Sequence, residues 1–291
     1  MSRLSCSLQT MLERREKALA KIHLGRPILI DVDLDFLFAP GEREDRSGPE
    51  DMPSTLSALW LQPEDFLAGL RQAGFVWSGR STASPPRPPH VPAICGPDHA
   101  LSYHAWALAR LREATVFHFD AHSDCYPSLP EIVHCGNYLM HAWHSGVVRR
   151  VFWIVPDWFS RFPHHPAAED AVRFSCSPPR PGCRAIPADG DPGRQAAASS
   201  RQTGQGSAGL VLEMCPWAHL GSLMRSLLPG PTPALIPTMI TLASSPQFVR
   251  SFQAETAFEV LKEAFSARDA KILLLGPALG DRTQPNQLKQ A

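Results

Sequence analysis

The side chains best suited to chemistry in this sequence stand in the run Phe119-Asp120-Ala121-His122-Ser123-Asp124. Asp120, His122 and Asp124 alternate with other residues, so the end of a strand can aim all three the same way. Carboxylate oxygens and imidazole nitrogens are ligands of divalent metal ions such as Mn²⁺. The run therefore predicts part of a metal site.

A second acidic run, Asp31-Val32-Asp33-Leu34-Asp35, follows the apolar segment Ile28-Leu29-Ile30. Burying so many carboxylates without a cation is costly. A dinuclear site needs several carboxylates to offset the charge of two divalent ions, and imidazoles fill the remaining positions. We therefore predict a dinuclear site for Mn²⁺ or a similar ion, with ligands drawn from Asp120, His122, Asp124, His99 and two of Asp31, Asp33 and Asp35.

The same residues also have a structural interpretation. The run from Asp120 to Asp124 can form a strand-to-helix turn, with Asp124 as a cap and Asp120 in a surface ion pair. A histidine before a helix, such as His99, is often a cap or a core residue. The presence of two acidic runs, each after buried apolar residues, favours the metal site.

Both acidic runs follow short apolar segments, which is the pattern of buried parallel strands. Ligands gather at the carboxyl ends of such strands in open α/β sheets. Strand-like and helix-like segments continue to alternate along the chain, so we predict an α/β fold. The predicted strands are 27–36, 93–95, 116–120, 151–155, 239–243 and 271–275, and the predicted helices are 62–74, 100–112, 135–148, 219–228 and 254–267.

Two segments fall outside this alternation. Residues 8–23 have the spacing of an amphipathic helix, so 1–26 is predicted to be an N-terminal helical segment. Residues at about 177–209 are rich in Pro, Gly, Arg, Ser, Ala and Gln, which predicts a poorly ordered insertion. The rest of 27–291 is predicted to form one domain.

Composition argues against several partners and compartments. The 28 Lys and Arg residues balance 28 Asp and Glu residues, and no basic stripe is interleaved with aromatics, so we predict no nucleic-acid partner. No apolar stretch approaches the roughly 20 residues of a membrane span, and a signal-peptide core is missing. We therefore predict no membrane association and a cytoplasmic protein. The 7 scattered cysteines predict reduced thiols, not a structural zinc site.

Taken together, the motifs resemble the arginase/deacetylase superfamily, whose arginase branch carries an Asp-Ala-His-x-Asp motif, an Asp-x-Asp strand end and an upstream metal histidine. In ordinary arginases the Asp-x-Asp strand follows the Asp-Ala-His motif, whereas here it precedes it. The order in this chain, with Asp98-His99 between the two acidic runs and Gly136-Asn137-Tyr138-Leu139 after them, resembles the UPF0489 family. Bacterial members of that family include the peptide arginases. The resemblance spans most of residues 27–260.

The resemblance implies an arginase-like, three-layer α/β/α sandwich with a mainly parallel sheet. It implies that two Mn²⁺ ions are bound by His99, Asp120, His122, Asp124, Asp31 and Asp33. Asp35 is then an outer group, or a ligand if the pairing is shifted. The implied reaction is hydrolysis of an arginine side chain within a ribosomally made precursor peptide, which gives ornithine and urea. The alternatives are a deacetylase-like metal amidohydrolase and a metal-stabilised protein that binds a peptide without hydrolysing it.

Further residues are candidates for moving protons in such a reaction. Asp33 or Asp120, whichever bridges the metals, would carry a proton to the leaving amine. His134 is the first candidate for a proton relay because it is predicted to lie in a loop. His141 and His144 are further candidates, although their helical spacing also suits a place in the core.

Three polar residues are candidates for contacts at the site. Asn137 resembles an amide position that superfamily relatives use to orient substrate, and the alternative is that it caps a helix. Ser244 and Ser245 end a predicted strand, so they either reach the site or form a turn before Pro246.

Overall fold

The computed structural model describes residues 26–41, 56–77, 91–125, 132–169, 210–228, 235–246, 248–249 and 251–265, together with the backbone of 273–274. The helix predicted over residues 8–23 and the insertion predicted at about 177–209 lie outside these ranges. Within them, no helix combines the length and the apolar character needed to cross a bilayer.

Strands and helices alternate along the described chain. The strands are β1 (Ile28–Asp33), β2 (Phe38–Pro40), β3 (Leu56–Leu59), β4 (Ala93–Gly96), β5 (Ala114–Phe119), β6 (Val148–Val155), β7 (Val211–Pro216), β8 (Met239–Ala243) and β9 (Leu273–Leu274). The helices are α1 (Pro63–Gln72), α2 (Ala100–Leu108), α3 (Tyr138–His144), α4 (Leu220–Leu227) and α5 (Gln253–Phe265). A 7-stranded sheet has the order β7-β6-β5-β1-β8-β4-β9, and its described pairings are parallel. β2 and β3 form a separate antiparallel pair. The predicted α/β fold with a mainly parallel sheet is confirmed.

Helices cover both faces of the large sheet. Side chains of β1 alternate between the faces, as the two-residue period of a strand requires. Ile28, Ile30 and Val32 belong to one hydrophobic cluster, which includes residues of α1, α4 and α5. Leu29 belongs to a second cluster with residues of α2 and α3. The result is the three-layer α/β/α order that the family resemblance implied.

The acidic residues of β1 lie on the face covered by α2 and α3. Asp31 is flanked in the sheet by His118 of β5 and Thr241 of β8. Because Val32 pairs with Phe119, β1 and β5 end side by side at the carboxyl edge of the sheet. The residues that follow these strands therefore meet where parallel sheets usually bind ligands.

The first strand is shorter than the predicted segment 27–36. It ends at Asp33, because Oδ1 of Asp33 accepts the N–H of Asp35 at 3.0 Å and begins a 3-10 helix over Leu34–Leu37. A short polar side chain that bonds its own backbone two residues on is a common way to leave a strand. This turn gives Asp35 a different direction from Asp31 and Asp33.

Two helices are also shorter than predicted. The helix predicted over 100–112 ends at Leu108, and Arg110 then adopts a left-handed φ of 55°. The helix predicted over 135–148 is confined to Tyr138–His144, because Gly146 turns the chain with a φ of 72° and β6 has begun by Val148. The sequence predictions did not include β2, β3 or β7.

A close approach between α1 and Trp217 makes Gly69 hard to replace. A Cβ atom built on Gly69 would lie 2.4 Å from Cζ2 of Trp217. The indole ring cannot easily move, because it stacks on Phe66 at 5.3 Å and meets Phe36 edge-on at 5.7 Å between ring centroids. Gly69→Ala should therefore lower the free energy of unfolding by about 1–3 kcal/mol through overpacking, although alanine favours helix by about 1 kcal/mol.

Gly221→Ala in α4 is the matched control for this prediction. A Cβ there meets only the end of the flexible Arg225 side chain, at 3.4 Å. We expect its stability in urea to stay equal to the wild-type value or to rise slightly. Equal melting curves for the two variants would contradict the proposed packing of Trp217 against α1.

Candidate metal centre

Buried acids and histidines converge at the carboxyl edge of the sheet. They come from β1 and the turn after it, from the start of α2, and from β5 and the loop that follows it. The members of this cluster are Asp31, Asp33, Asp35, His99, His118, Asp120, His122 and Asp124. All are buried except His122, whose side chain is 19% exposed. The cluster therefore opens to solvent on the His122 side.

Asp120 lies at the centre of the cluster, with its two carboxylate oxygens facing different imidazoles. Oδ2 lies 3.2 Å from Nδ1 of His99, and Oδ1 lies 3.5 Å from Nδ1 of His122. The backbone of Asp120 is held by Trp153, whose indole N–H donates to its carbonyl at 3.0 Å. Oδ2 has no hydrogen-bond partner among the described residues. A buried carboxylate oxygen in this state suits a cation.

The His99 side of the cluster collects further carboxylates. Nδ1 of His99 lies 3.0 Å from Oδ2 of Asp124 and 3.7 Å from Oδ2 of Asp33. Asp124 has a left-handed φ of 49°, and Ser245, whose hydroxyl donates to Asp33, has a φ of 39°. Such backbone costs roughly 1–3 kcal/mol in a residue other than glycine and is often found at functional sites.

Asp35 and Phe248 surround the more exposed imidazole. Nδ1 of His122 lies 2.7 Å from Oδ2 of Asp35, and Oδ1 of Asp35 accepts the N–H of Ala121 at 3.1 Å. The half-buried ring of Phe248 packs on the His122 ring with centroids 4.7 Å apart. Phe248 therefore forms a wall where the cluster meets solvent.

Asp31 has a different environment from the other carboxylates. Its Oδ1 accepts hydrogen bonds from the hydroxyls of Ser102, at 2.8 Å, and Thr241. Its Oδ2 accepts one from the hydroxyl of Tyr138 and lies 3.1 Å from Nδ1 of His118. Protein side chains thus already surround this carboxylate.

The cluster can hold a metal ion in four overlapping ways. In each of four groups of three residues, one ligand atom per residue lies within 4.8 Å of the others. Asp120 belongs to three of these groups, so it is the member best placed to serve more than one ion. The groups are Asp31, His99 and His118; Asp33, His99 and Asp120; Asp35, Asp120 and His122; and His118, Asp120 and Asp124.

Mutual repulsion makes several of these carboxylates resist ionisation. Burial and the charge of Asp35 raise the pKa of Asp33 well above its usual range. Burial and the charge of Asp120 raise the pKa of Asp35, and the same two causes raise the pKa of Asp124 to about 7. A cation at this place would relieve the repulsion, so the electrostatics fit a metal site.

The carboxylate charges also raise the pKa of the imidazole of His99, whereas the histidines lower the pKa of Asp31. Burial disfavours the charged form of His99, but Asp31 and Asp33 outweigh it and raise the pKa of His99 well above its usual range. Burial also raises the pKa of Asp31, but the charge of His99 and the hydrogen bond with His118 lower it to about 2. Because a ligating histidine must be neutral, metal binding at this cluster must release protons.

His134 and Asn137 lie together in the loop before α3. His134 is exposed, and its hydrogen bonds within the described residues are with Gly136, Asn137 and the backbone of Tyr138, not with the carboxylate cluster. Asn137 is buried, accepts the N–H of His134 at 2.8 Å and donates to the carbonyl of Ile132 at 3.0 Å. It stands at the N-cap of α3 but makes no capping hydrogen bond. Asn137 therefore holds this loop together at the N-cap position of α3.

The remaining candidates divide between the site and the protein surface. Ser245 donates to Asp33 and so reaches the cluster, and its carbonyl accepts the N–H of Phe248 at 3.0 Å, so it also forms a turn. His141 and His144 lie on α3, and burial together with the charges of His144 and His134 lowers the pKa of His141. These histidines form a group of their own beside the loop.

The sequence predictions missed His118, Ser102, Thr241 and Tyr138. His118 had a usable signal, because it stands two residues before Asp120 and so shares a face of β5 with the start of the acidic run. Ser102, Thr241 and Tyr138 gave no signal, since only the sheet register and helix packing bring them to Asp31.

Comparisons of the chain with protein-family models, with curated proteins and with solved structures return no match. The class of protein is therefore defined by fold and site alone. It is an α/β protein whose parallel sheet carries, at its carboxyl edge, a buried carboxylate and imidazole cluster that can hold metal ions.

Proposed function

We propose that this protein is a dinuclear manganese hydrolase that converts arginine side chains within a peptide to ornithine and releases urea. The observation that carries the proposal is the position of Asp120 between two imidazoles, with one carboxylate oxygen toward each. A carboxylate in that position is suited to bridge two cations. A deacetylase-like enzyme with one metal has no need of this arrangement.

The contacts support a particular set of ligands. His99, Asp124 and Asp33 with Oδ2 of Asp120 form one group, and His122 and Asp35 with Oδ1 of Asp120 form the other. This set contains Asp33 and Asp35, so it favours the shifted pairing, in which Asp35 is a ligand. Both histidines face the carboxylates through Nδ1.

The ligand types support Mn²⁺. Four carboxylates balance the formal charge of two divalent ions, and two neutral imidazoles add nitrogen donors to the oxygen donors. Zn²⁺ accepts the same donor types, whereas Ca²⁺ prefers oxygen ligands alone. Metal selectivity is therefore part of the proposal and has to be measured.

The proposed chemistry assigns simple tasks to the protein. Two divalent cations held by these residues would lower the pKa of a water molecule, so that hydroxide would be available as the nucleophile at neutral pH. Asp120 keeps the two halves of the centre together, and either Asp33 or Asp120 carries a proton to the leaving amine. In this proposal the exposed His134 is a proton relay, and Asn137 acts on substrate binding through the loop before α3, which its side chain holds together.

The burial of the cluster supports a long, slender substrate group. His122, with Phe248 packed on its ring, is the most exposed member and the other members are almost fully buried, so a substrate would reach the cluster beside His122. A guanidinium group is flat and stands at the end of a flexible chain, so it suits such an opening. It also carries the positive charge that the carboxylates attract.

Phe248 provides a prediction about this opening. A guanidinium bound over the face of an aromatic ring is stabilised by about 0.5–2 kcal/mol. Phe248→Ala should therefore raise KM for the peptide by about 2- to 30-fold and change kcat less. Phe252→Ala is the matched control, because Phe252 is 91% exposed and should not affect KM. Equal KM values for the two variants would exclude Phe248 as a substrate contact.

The deciding experiment measures the release of urea and of acetate from three substrates in the presence of Mn²⁺. They are an arginine-containing peptide, free arginine, and the same peptide with acetyl-lysine in place of arginine. Urea from the peptide alone is the expected result. Acetate from the third substrate would support the deacetylase alternative. Bound metal with no product from any of them would overturn hydrolysis and favour a peptide-binding protein.

A further inference from the structure

We infer that Asp31, His118 and Tyr138 form a positioning network that holds Asp120 and takes no direct part in binding metal. The inference rests on the proposed dinuclear centre and goes beyond it, because it removes Asp31 from the ligand set and gives His118 and Tyr138 a role. Each of the three side chains is fully buried.

The lone-pair positions of the Asp31 carboxylate are already used by protein donors. It accepts hydrogen bonds from the hydroxyls of Ser102, Thr241 and Tyr138 and lies within hydrogen-bond distance of Nδ1 of His118, while Nε2 of His99 stands farther off at 4.0 Å. A carboxylate has about four lone-pair positions. A cation at Asp31 would have to displace one of these partners and leave it buried without a hydrogen bond, which is unfavourable.

His118 connects Asp31 with the centre of the metal cluster. On one side, Nδ1 lies 3.1 Å from Oδ2 of Asp31 and 3.2 Å from the hydroxyl of Tyr138. On the other side, Nε2 lies 3.3 Å from Oδ2 of Asp120 and 3.2 Å from the carbonyl of His122. The ring therefore contacts both the bridging carboxylate and the backbone of a second ligand.

The sheet explains why this network is rigid. Asp31, His118 and Thr241 are register partners on three neighbouring parallel strands. Tyr138 and Ser102 come from α3 and α2, which cover this face. Outer groups that orient metal ligands typically change metal affinity by 10- to 100-fold when they are removed. The network should have an effect of this size.

The inference is tested by counting bound metal in Asp31→Asn and Asp35→Asn. Both changes remove one buried carboxylate charge, so they form a matched pair. At saturating Mn²⁺, Asp31→Asn should keep the wild-type number of ions and show a Kd weakened about 10- to 100-fold. Asp35→Asn should lose one ion per chain. Loss of one ion in Asp31→Asn would overturn the inference and leave the dinuclear centre in place.

Tyr138→Phe keeps the test informative if Asp31→Asn does not fold. It removes only the hydroxyl, and we expect the wild-type number of ions with a Kd weakened about 10-fold. Electron paramagnetic resonance should show that the magnetic coupling between the two Mn²⁺ ions has changed, because the bridging carboxylate has moved. An unaltered Kd and an unaltered spectrum would overturn the inference. A wild-type protein that binds fewer than two ions would instead overturn the proposed function, and the inference with it.

Discussion

Asp120→Asn should abolish the binding of both metal ions and the release of urea together. Asparagine has nearly the same size as aspartate, so the change removes the charge and leaves the packing. One carboxylate oxygen of Asp120 faces His99 and the other faces His122. Loss of this negative charge should therefore weaken metal binding on both sides of the centre. We expect urea release to fall by more than about 100-fold, beyond the range seen on removing an outer partner of a metal ligand.

The measurement is metal content after dialysis, together with the urea assay on the same preparation. Asp157→Asn is the matched control, because the Asp157 carboxylate caps the backbone N–H of Ala218 away from the cluster. It should retain metal and activity. If Asp120→Asn keeps two ions and wild-type activity, Asp120 does not bridge the metals and the proposed centre is wrong.

Removing metal should lower the melting temperature of the protein. The cluster buries five carboxylates, and a cation that binds only the folded state stabilises it by mass action. At a free metal concentration of 100 times Kd, one site contributes about 2.7 kcal/mol. For a chain of 291 residues that is a shift of about 4–5 °C for one site. Thermal melts with Mn²⁺ and with a chelator measure the difference.

The rise in melting temperature on adding metal should depend on the kind of metal and on pH. Mn²⁺ and Zn²⁺ should stabilise more than Ca²⁺, because nitrogen ligands belong to the set. The pKa of Asp124 is about 7, and the pKa values of His99 and His122 are raised above their usual range. Below these values protons compete with the metal, so the shift should shrink as the pH falls from about 8 to about 6. If the melting temperature is the same with metal and with chelator, the cluster has a structural role and does not bind metal.

Strained backbone supports the view that this edge of the sheet is built for function. Among the described residues, the non-glycine positions with positive φ are Arg110, Glu113, Asp124 and Ser245. Two of them, Asp124 and Ser245, are part of the cluster or contact it. Strain of roughly 1–3 kcal/mol persists only where the surroundings hold it in place. The loop after β5 and the residues after β8 are thus held in shape at the proposed site.

Local signals in the sequence were strong enough to predict much of the fold. β8 lies where the sequence predicts it, because all of its residues are buried. α1 and α5 are predicted within a few residues, since their buried residues recur at helical spacing. β7 was missed because most of its side chains are half-buried or exposed, which leaves neither a continuous apolar run nor a clear alternation. β2 and β3 are too short to give a pattern.

For the site, the sequence alone determined which residue types meet at the strand ends. It could not choose between Asp31 with Asp33 and Asp33 with Asp35, because both pairs have the same spacing of two residues. The tertiary structure gives these aspartates different surroundings in two ways. The 3-10 turn at Asp33 carries Asp35 to His122, and the parallel register sets Asp31 beside His118 and Thr241. Neither contact is encoded in local spacing, since each depends on strands and helices far apart in the chain.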